Sequence, residues 1–179
     1  SLVGCVNSGT IGVAETGNYI GGIVGTWASN GFISECTNDG EVLGAEKIGG
    51  IAGDLNNCRV ESCINNAPIK GLYTTGGIVG FINNSRIVGC LNSETATITG
   101  IKEIGGISGA RGDMARFSTI VEYCENYASI TGVEDVGGIC GAGIDDVWNS
   151  TNFGAIFGSR DVGGVAGAAQ NLQFCINNG

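Results

Sequence analysis

The chain has no histidine among its 179 residues. That excludes Ser-His-Asp and Cys-His catalysis, together with His-ligated metal sites. Proline occurs once, at Pro68, so strand pairing can run almost uninterrupted. Lys and Arg total eight against seventeen Asp and Glu, a formal net charge of -9. With no basic stripe, the chain offers nothing to nucleic acid or to an anionic membrane surface. The acidity instead keeps a long exposed surface soluble. No apolar run approaches the roughly 20 residues of a membrane span, so no insertion by this chain is expected. No basic-then-apolar leader stands at Ser1, which places any secretion signal outside the sequence. Cys-x-x-Cys, a Gly-x-Ser-x-Gly elbow and a phosphate-cradling glycine loop are all missing. The expectation is a protein without enzyme activity, cofactor or metal.

What is abundant is glycine, at 34 residues, and it is placed rather than scattered. One phrase comes six times: Gly21-Gly22-Ile23-Val24-Gly25, then from Gly49, Gly76, Gly105, Gly137 and Gly163. Successive spacings are 28, 27, 29, 32 and 26 residues, the mark of a repeat array. A second phrase runs in step, a Cys two residues before an Asn. The pairs are Cys5/Asn7, Cys36/Asn38, Cys63/Asn65, Cys90/Asn92, Cys124/Asn126 and Cys175/Asn177, with Ser150/Asn152 breaking the rule. An aliphatic residue precedes each by three, as Ile33, Val60 and Ile87 do. A third phrase is Ile or Val, any residue, then Gly, as in Ile69-Lys70-Gly71.

Each phrase is too short for a helix and is bounded by Gly, Asn or Asp. Three short strands per ~27 residues predict an all-β fold, a parallel β-solenoid in which stacking buries what one repeat cannot. A right-handed β-helix is the expected form. Residues 1–179 make one array of about six coils, beginning near Cys5, Cys36, Cys63, Cys90, Cys124 and Ser150, with a partial coil from Cys175. Coils about 4.8 Å apart give a rod roughly 29 Å long. Both ends fall at one phase of the repeat without a polar cap, so the chain reads as a slice of a longer array. The phrase-end glycines are expected at corners of left-handed backbone. The paired glycines also suit a close approach of two sheet faces.

The shared phase of six cysteines and Ser150 asks for a small, buriable side chain. Free thiols in an internal row fit this better than a disulfide, because stacked parallel strands hold Cβ atoms too far apart. Cys58 and Cys140 lie off the row, and a bond between them stays open. The asparagines read as a ladder of amides bonding coil to coil. Glu134-Asp135 and Asp145-Asp146 are the only candidates for paired-carboxylate chemistry, and neighbours on a strand face opposite ways. The longest insertion lies between Gly109 and Cys124. Residues Ala110 to Arg116 are expected to leave the stack as an outward loop with Arg111 and Asp113 exposed. It contains Arg111-Gly112-Asp113, a tripeptide that binds receptors when displayed on a loop.

The six glycine phrases resemble the GLUG motif, whose core is Gly, an aliphatic residue, a second hydrophobic residue and Gly. Gly22-Ile23-Val24-Gly25, Gly50-Ile51-Ala52-Gly53 and Gly77-Ile78-Val79-Gly80 match it, with Ile for the usual Leu; Ser108 departs from it. The resemblance implies a secreted or surface-anchored bacterial protein and no catalytic residues. The function it implies is a non-catalytic structural or adhesive repeat module, with a host or cell-surface protein or glycan as partner. Neighbouring coils or domains of the same polypeptide would flank it. An accessory region of a secreted protease or glycan-active enzyme is the alternative, and a polysaccharide-degrading β-helix comes third.

Overall fold

The computed structural model describes residues 1–112 and 118–179. The chain climbs as a parallel β-solenoid, every coil pairing in parallel with the coils above and below. Among the described residues there is no helix. Each of the first five coils carries five short strands rather than the three expected, and the sixth carries four with an isolated bridge at Ala166 in place of the fifth. In the third coil they are Cys58–Glu61, Ile64–Asn65, Ile69–Lys70, Tyr73–Gly76 and Val79–Asn83. Stacking turns these into five sheets, here numbered one to five in that order. Two of the three phrases contain a bend and so supply two strands each. The Val60 to Asn65 phrase spans sheets one and two, and the Gly76 to Gly80 phrase spans sheets four and five.

The register follows the repeat. Val60 pairs with Ile33 and Ile87, Asn65 with Asn38 and Asn92, and Gly76 with Gly49 and Gly105. Identical side chains therefore pile into columns. Two separate apolar cores result. The larger holds Ile33, Leu55, Val60, Ile78, Ile82 and Ile87, between sheets five and one. The smaller holds Val42, Ile48, Ile69, Ile98, Ile104 and Ile130, between sheets three and four. The named isoleucines are fully buried, each stabilising by about 1.5–3 kcal/mol relative to exposure.

Between the two cores lies a waist of glycine and asparagine. A Cβ on Gly50 would sit 2.2 Å from the carbonyl oxygen of Gly77 and 2.7 Å from Cγ of Asn65. On Gly76 it would sit 2.1 Å from the Val79 oxygen, and on Gly80 2.5 Å from the Ile48 nitrogen. These distances correct one expectation and bear out the other. The phrase glycines do not hold left-handed corners; they let backbone meet backbone.

The left-handed corners are elsewhere, and most are not glycine. One column runs through Lys47, Thr74, Glu103 and Asp135, with φ of 59°, 52°, 61° and 53°. Another is the residue before each ladder cysteine, including Glu35, Ser62, Tyr123 and Asn149, with Gly4 and Gly89 in the same place. A third holds Asn30, Asn57 and Asn84. Each non-glycine corner costs about 1–2 kcal/mol locally. The stacked coils on either side hold it there.

The corners explain the cysteines. After a left-handed residue the next N–H has lost its place in the backbone ladder, and the following coil's side chain accepts it. Cys63 N donates to Cys90 Sγ at 3.4 Å, and Cys124 N to Ser150 Oγ at 3.1 Å. The same side chain donates to the carbonyl two residues back: Cys63 to Glu61 at 3.3 Å, Ser150 to Trp148 at 2.9 Å. A second column repeats the device, with Cys58 N donating to Ser85 Oγ at 3.0 Å and Thr119 N to Asp145 Oδ2 at 2.8 Å. Cys and Ser exchange at these positions because both donate and accept.

Candidate functional site

The tripeptide at 111–113 was the expected partner-binding element. The structure places Arg111 differently. Ala110 is buried, and both residues belong to the strand Ser108–Arg111. The Arg111 guanidinium pairs with Asp145 Oδ1 at 3.2 Å, donates to the Gly143 carbonyl, and is 14% exposed. The expected outward loop therefore does not begin at Ala110. Arg111 pairs in register with the buried Ile82, and the carboxylate of the next coil draws its side chain in. Gly112 donates its N–H to Ile82 O at 3.3 Å. Asp113 lies outside the described residues.

The paired acids are all engaged. Asp145 holds Arg111 and the Thr119 N–H, and Asp146 accepts from Asn171 at 2.8 Å. Glu134 takes Lys102 at 3.0 Å and also Arg160; Asp135 reaches the same Lys102 at 3.6 Å. Neighbouring carboxylates were expected to face opposite ways. Glu134 and Asp135 share a cation because Asp135 is a left-handed corner, which cancels the strand's alternation, whereas Asp145 and Asp146 take different partners.

The asparagine ladder is continuous. Each side-chain amide donates to the Oδ1 of the next coil's asparagine, from Asn7 through Asn177, at 2.7–2.8 Å. Most also donate to the carbonyl two residues on, as Asn65 does to Ala67 at 2.9 Å.

All eight cysteines are free, including Cys58 and Cys140, which closes the question of a bond between them. Burial pushes the Cys36 thiol up to about 11 and raises Cys58, Cys90 and Cys140; for Cys63 the larger cause is its bond with Cys90. A raised folded value means the folded chain keeps protons that the unfolded chain releases above about 9. This contribution to stability is full below pH 9 and lost as pH rises through 11. Two outcomes are expected. Thiol reagents at neutral pH should leave Cys36, Cys63, Cys90, Cys124 and Cys140 unlabelled until denaturant is added. Urea midpoints should fall between pH 9 and 11, and less steeply in Cys36→Ser. Full labelling of the folded chain, or a flat alkaline profile, would contradict the packing.

Two features had no motif to announce them. Lys47, a left-handed corner, sends its ammonium 4.0 Å above the Phe81 ring and 4.9 Å from the Tyr19 ring, with Asp54 Oδ2 at 2.9 Å. It ties sheet four to sheet five across three coils. A double-mutant cycle with Lys47→Met and Asp54→Asn should return a coupling of about 1 kcal/mol, at the top of the range for partly exposed pairs. Additive losses would mean that the rings alone hold the lysine. The second feature is the stacked pair Tyr127 and Phe153, centroids 4.5 Å apart and 9° from parallel. Both residues directly follow a ladder asparagine, so their shared phase was the available signal.

A cavity of about 200 Å³ is lined by Ala14, Glu15, Gly44, Lys70, Leu72 and Thr99. It is smaller than the roughly 300–1,000 Å³ of ordinary ligand sites, and the Lys70 ammonium is already paired with Glu41 at 2.7 Å. Among the described residues, no cluster of His, Cys, Asp or Glu is placed to hold a metal ion, and no helix is long and apolar enough to cross a membrane.

These features define a class, the parallel β-solenoid with an internal asparagine ladder. Protein-family models, curated proteins and solved structures yield no match to the chain.

Proposed function

We propose that the chain is a non-catalytic structural and adhesive module of an extracellular, surface-displayed bacterial protein of the GLUG-repeat kind. One observation carries this reading. The side chains that the array repeats are spent on joining coil to coil. The amides bond to one another, the thiols and hydroxyls bridge gaps in the backbone ladder, and the acid pairs are taken up by cations and an amide. What varies from coil to coil faces outward. Such a rod holds variable side chains at fixed heights, which suits display and attachment rather than turnover. The test is adhesion of residues 1–179, immobilised on beads, to bacterial and animal cells, alongside a turnover assay on polysaccharides. Saturable adhesion without turnover is the expected result. Turnover that survives repurification, or no adhesion to any surface, would overturn the reading.

A further inference from the structure

Along sheet two, each coil turns outward the residues before and after the ladder cysteine or serine and the residue after the ladder asparagine, the first of these being a glycine at Gly4 and Gly89. In the third coil these are Ser62, Ile64 and Asn66. The fifth coil differs, with Tyr123, Glu125 and Tyr127. The sixth sets Asn149, Thr151 and Phe153 beside them, Glu125 pairing with Thr151. Tyr123 is 59% exposed, Tyr127 37% and Phe153 38%. Tyr127 donates its hydroxyl to Glu125 Oε2 at 3.2 Å, fixing a carboxylate between two aromatic groups. The Tyr123 ring stands on a left-handed corner with φ 54°, outside the stacked pair.

We infer that this two-coil tile, Tyr123, Glu125, Tyr127, Thr151 and Phe153, is a binding site for a neutral oligosaccharide. The inference rests on the adhesive reading and names its ligand class. A sugar ring carries an apolar C–H face and a rim of hydroxyls. Aromatic surface takes the first. Glu125 and Thr151 take the second, the carboxylate as acceptor and the hydroxyl as either partner. Charge selects the neutral class. A carboxylate stands at the centre, and the chain's net charge of -9 repels sulfated or uronic glycans. Size selects a sugar over a protein. Tyr123 and Tyr127 are four residues apart, at most about 14 Å, and two coils add about 5 Å. That footprint falls far below the roughly 800 Å² that each partner gives to a stable protein interface.

The array itself supplies variants that fold. Asn stands at the Tyr123 phase in Asn149, and at the Tyr127 and Phe153 phase in Asn66. Tyr123→Asn, Tyr127→Asn and Phe153→Asn therefore install residues that other coils already hold there. Ile64→Thr serves as a control off the tile. The probes are immobilised neutral glucan, mannan and galactan, with polygalacturonate as the anionic comparison. Retention of the 179-residue chain by at least one neutral glycan is expected. Each tile variant should weaken it at least tenfold and the control should leave it unchanged, with thermal midpoints kept by Tyr123→Asn and Ile64→Thr. Retention by no neutral glycan, preference for polygalacturonate, or neutral binding that survives the triple variant would overturn the proposal. Cell adhesion with no glycan retention would point to a protein partner and overturn the tile while leaving the adhesive reading standing. Absence of both would end both.

Discussion

Gly77→Ala should destabilise the array by more than about 3 kcal/mol, beyond the usual cost of overpacking. The new methyl would lie 2.1 Å from the Gly106 carbonyl oxygen and 2.5 Å from Nδ2 of Asn92. Neither neighbour can give way. The first is backbone of the next coil, and the second is a fully buried member of the ladder. Gly77 is not in the left-handed region, so conformational freedom plays no part in the loss. A contrasting exchange isolates the cause. Gly89 has φ +58° and open space where a Cβ would go, and Asn149 stands at its phase. Gly89→Asn should therefore cost no more than the roughly 1–2 kcal/mol of a non-glycine left-handed corner, read from urea unfolding. Gly112→Val is a third arm, since its nearest atoms are side chains at 3.1 and 3.3 Å that can rotate away. Equal midpoints for Gly77→Ala and Gly89→Asn would show that the waist is looser than its distances imply.

Asn92→Ala should cost about 2–5 kcal/mol. It removes the acceptor of Asn65 and the donor to Asn126, both bonds 2.8 Å long and closed to water. Each orphaned buried group costs about 1–3 kcal/mol, and the small void adds to it. Asn65 keeps its bond to Ala67 O, which softens the loss on one side. Asn66→Ala is the control, one residue past the ladder and bonded to Asp39 at 2.8 Å on the surface. It should cost less than about 0.5 kcal/mol. Equilibrium unfolding in urea measures both, and a near-neutral Asn92→Ala would mean that the ladder amides add nothing net.

Much of this could be read from residue order. Phase alone aligned Cys36, Cys63, Cys90 and Ser150 in one column, and Asn38, Asn65 and Asn92 in another, because a solenoid turns equal phase into contact. The bends inside phrases could not be read that way. Nothing in the letters of Lys47, Thr74, Glu103 and Asp135 announces a left-handed corner, since their side chains share no chemistry and the conformation is imposed by the coils on either side. That hidden column is why Glu134 and Asp135 share one cation, while the bends that turned three phrases into five strands fall at Ser62-Cys63 and Gly77-Ile78. Arg111 was misjudged for a related reason. Its partner, Asp145, is 34 positions further on, and only the register of coil upon coil brings the two charges together. The aromatic tile was half visible, in that Tyr127 and Phe153 share a phase, but the carboxylate fixed between Tyr123 and Tyr127 needed coordinates.

The asparagine ladder has a direction. From Asn7 to Asn177 every amide donates toward higher residue numbers and accepts from lower ones. Aligned amides polarise one another, so each bond strengthens the next in the same sense. The axis of the rod therefore carries an arrow. A coil meeting the ladder on one side must present an acceptor, and on the other a donor. Two copies turned face to face would set donor against donor. Any growth along this axis is head to tail, the heterologous geometry that extends without closing, and the molecule's interior dictates it before its surface is consulted.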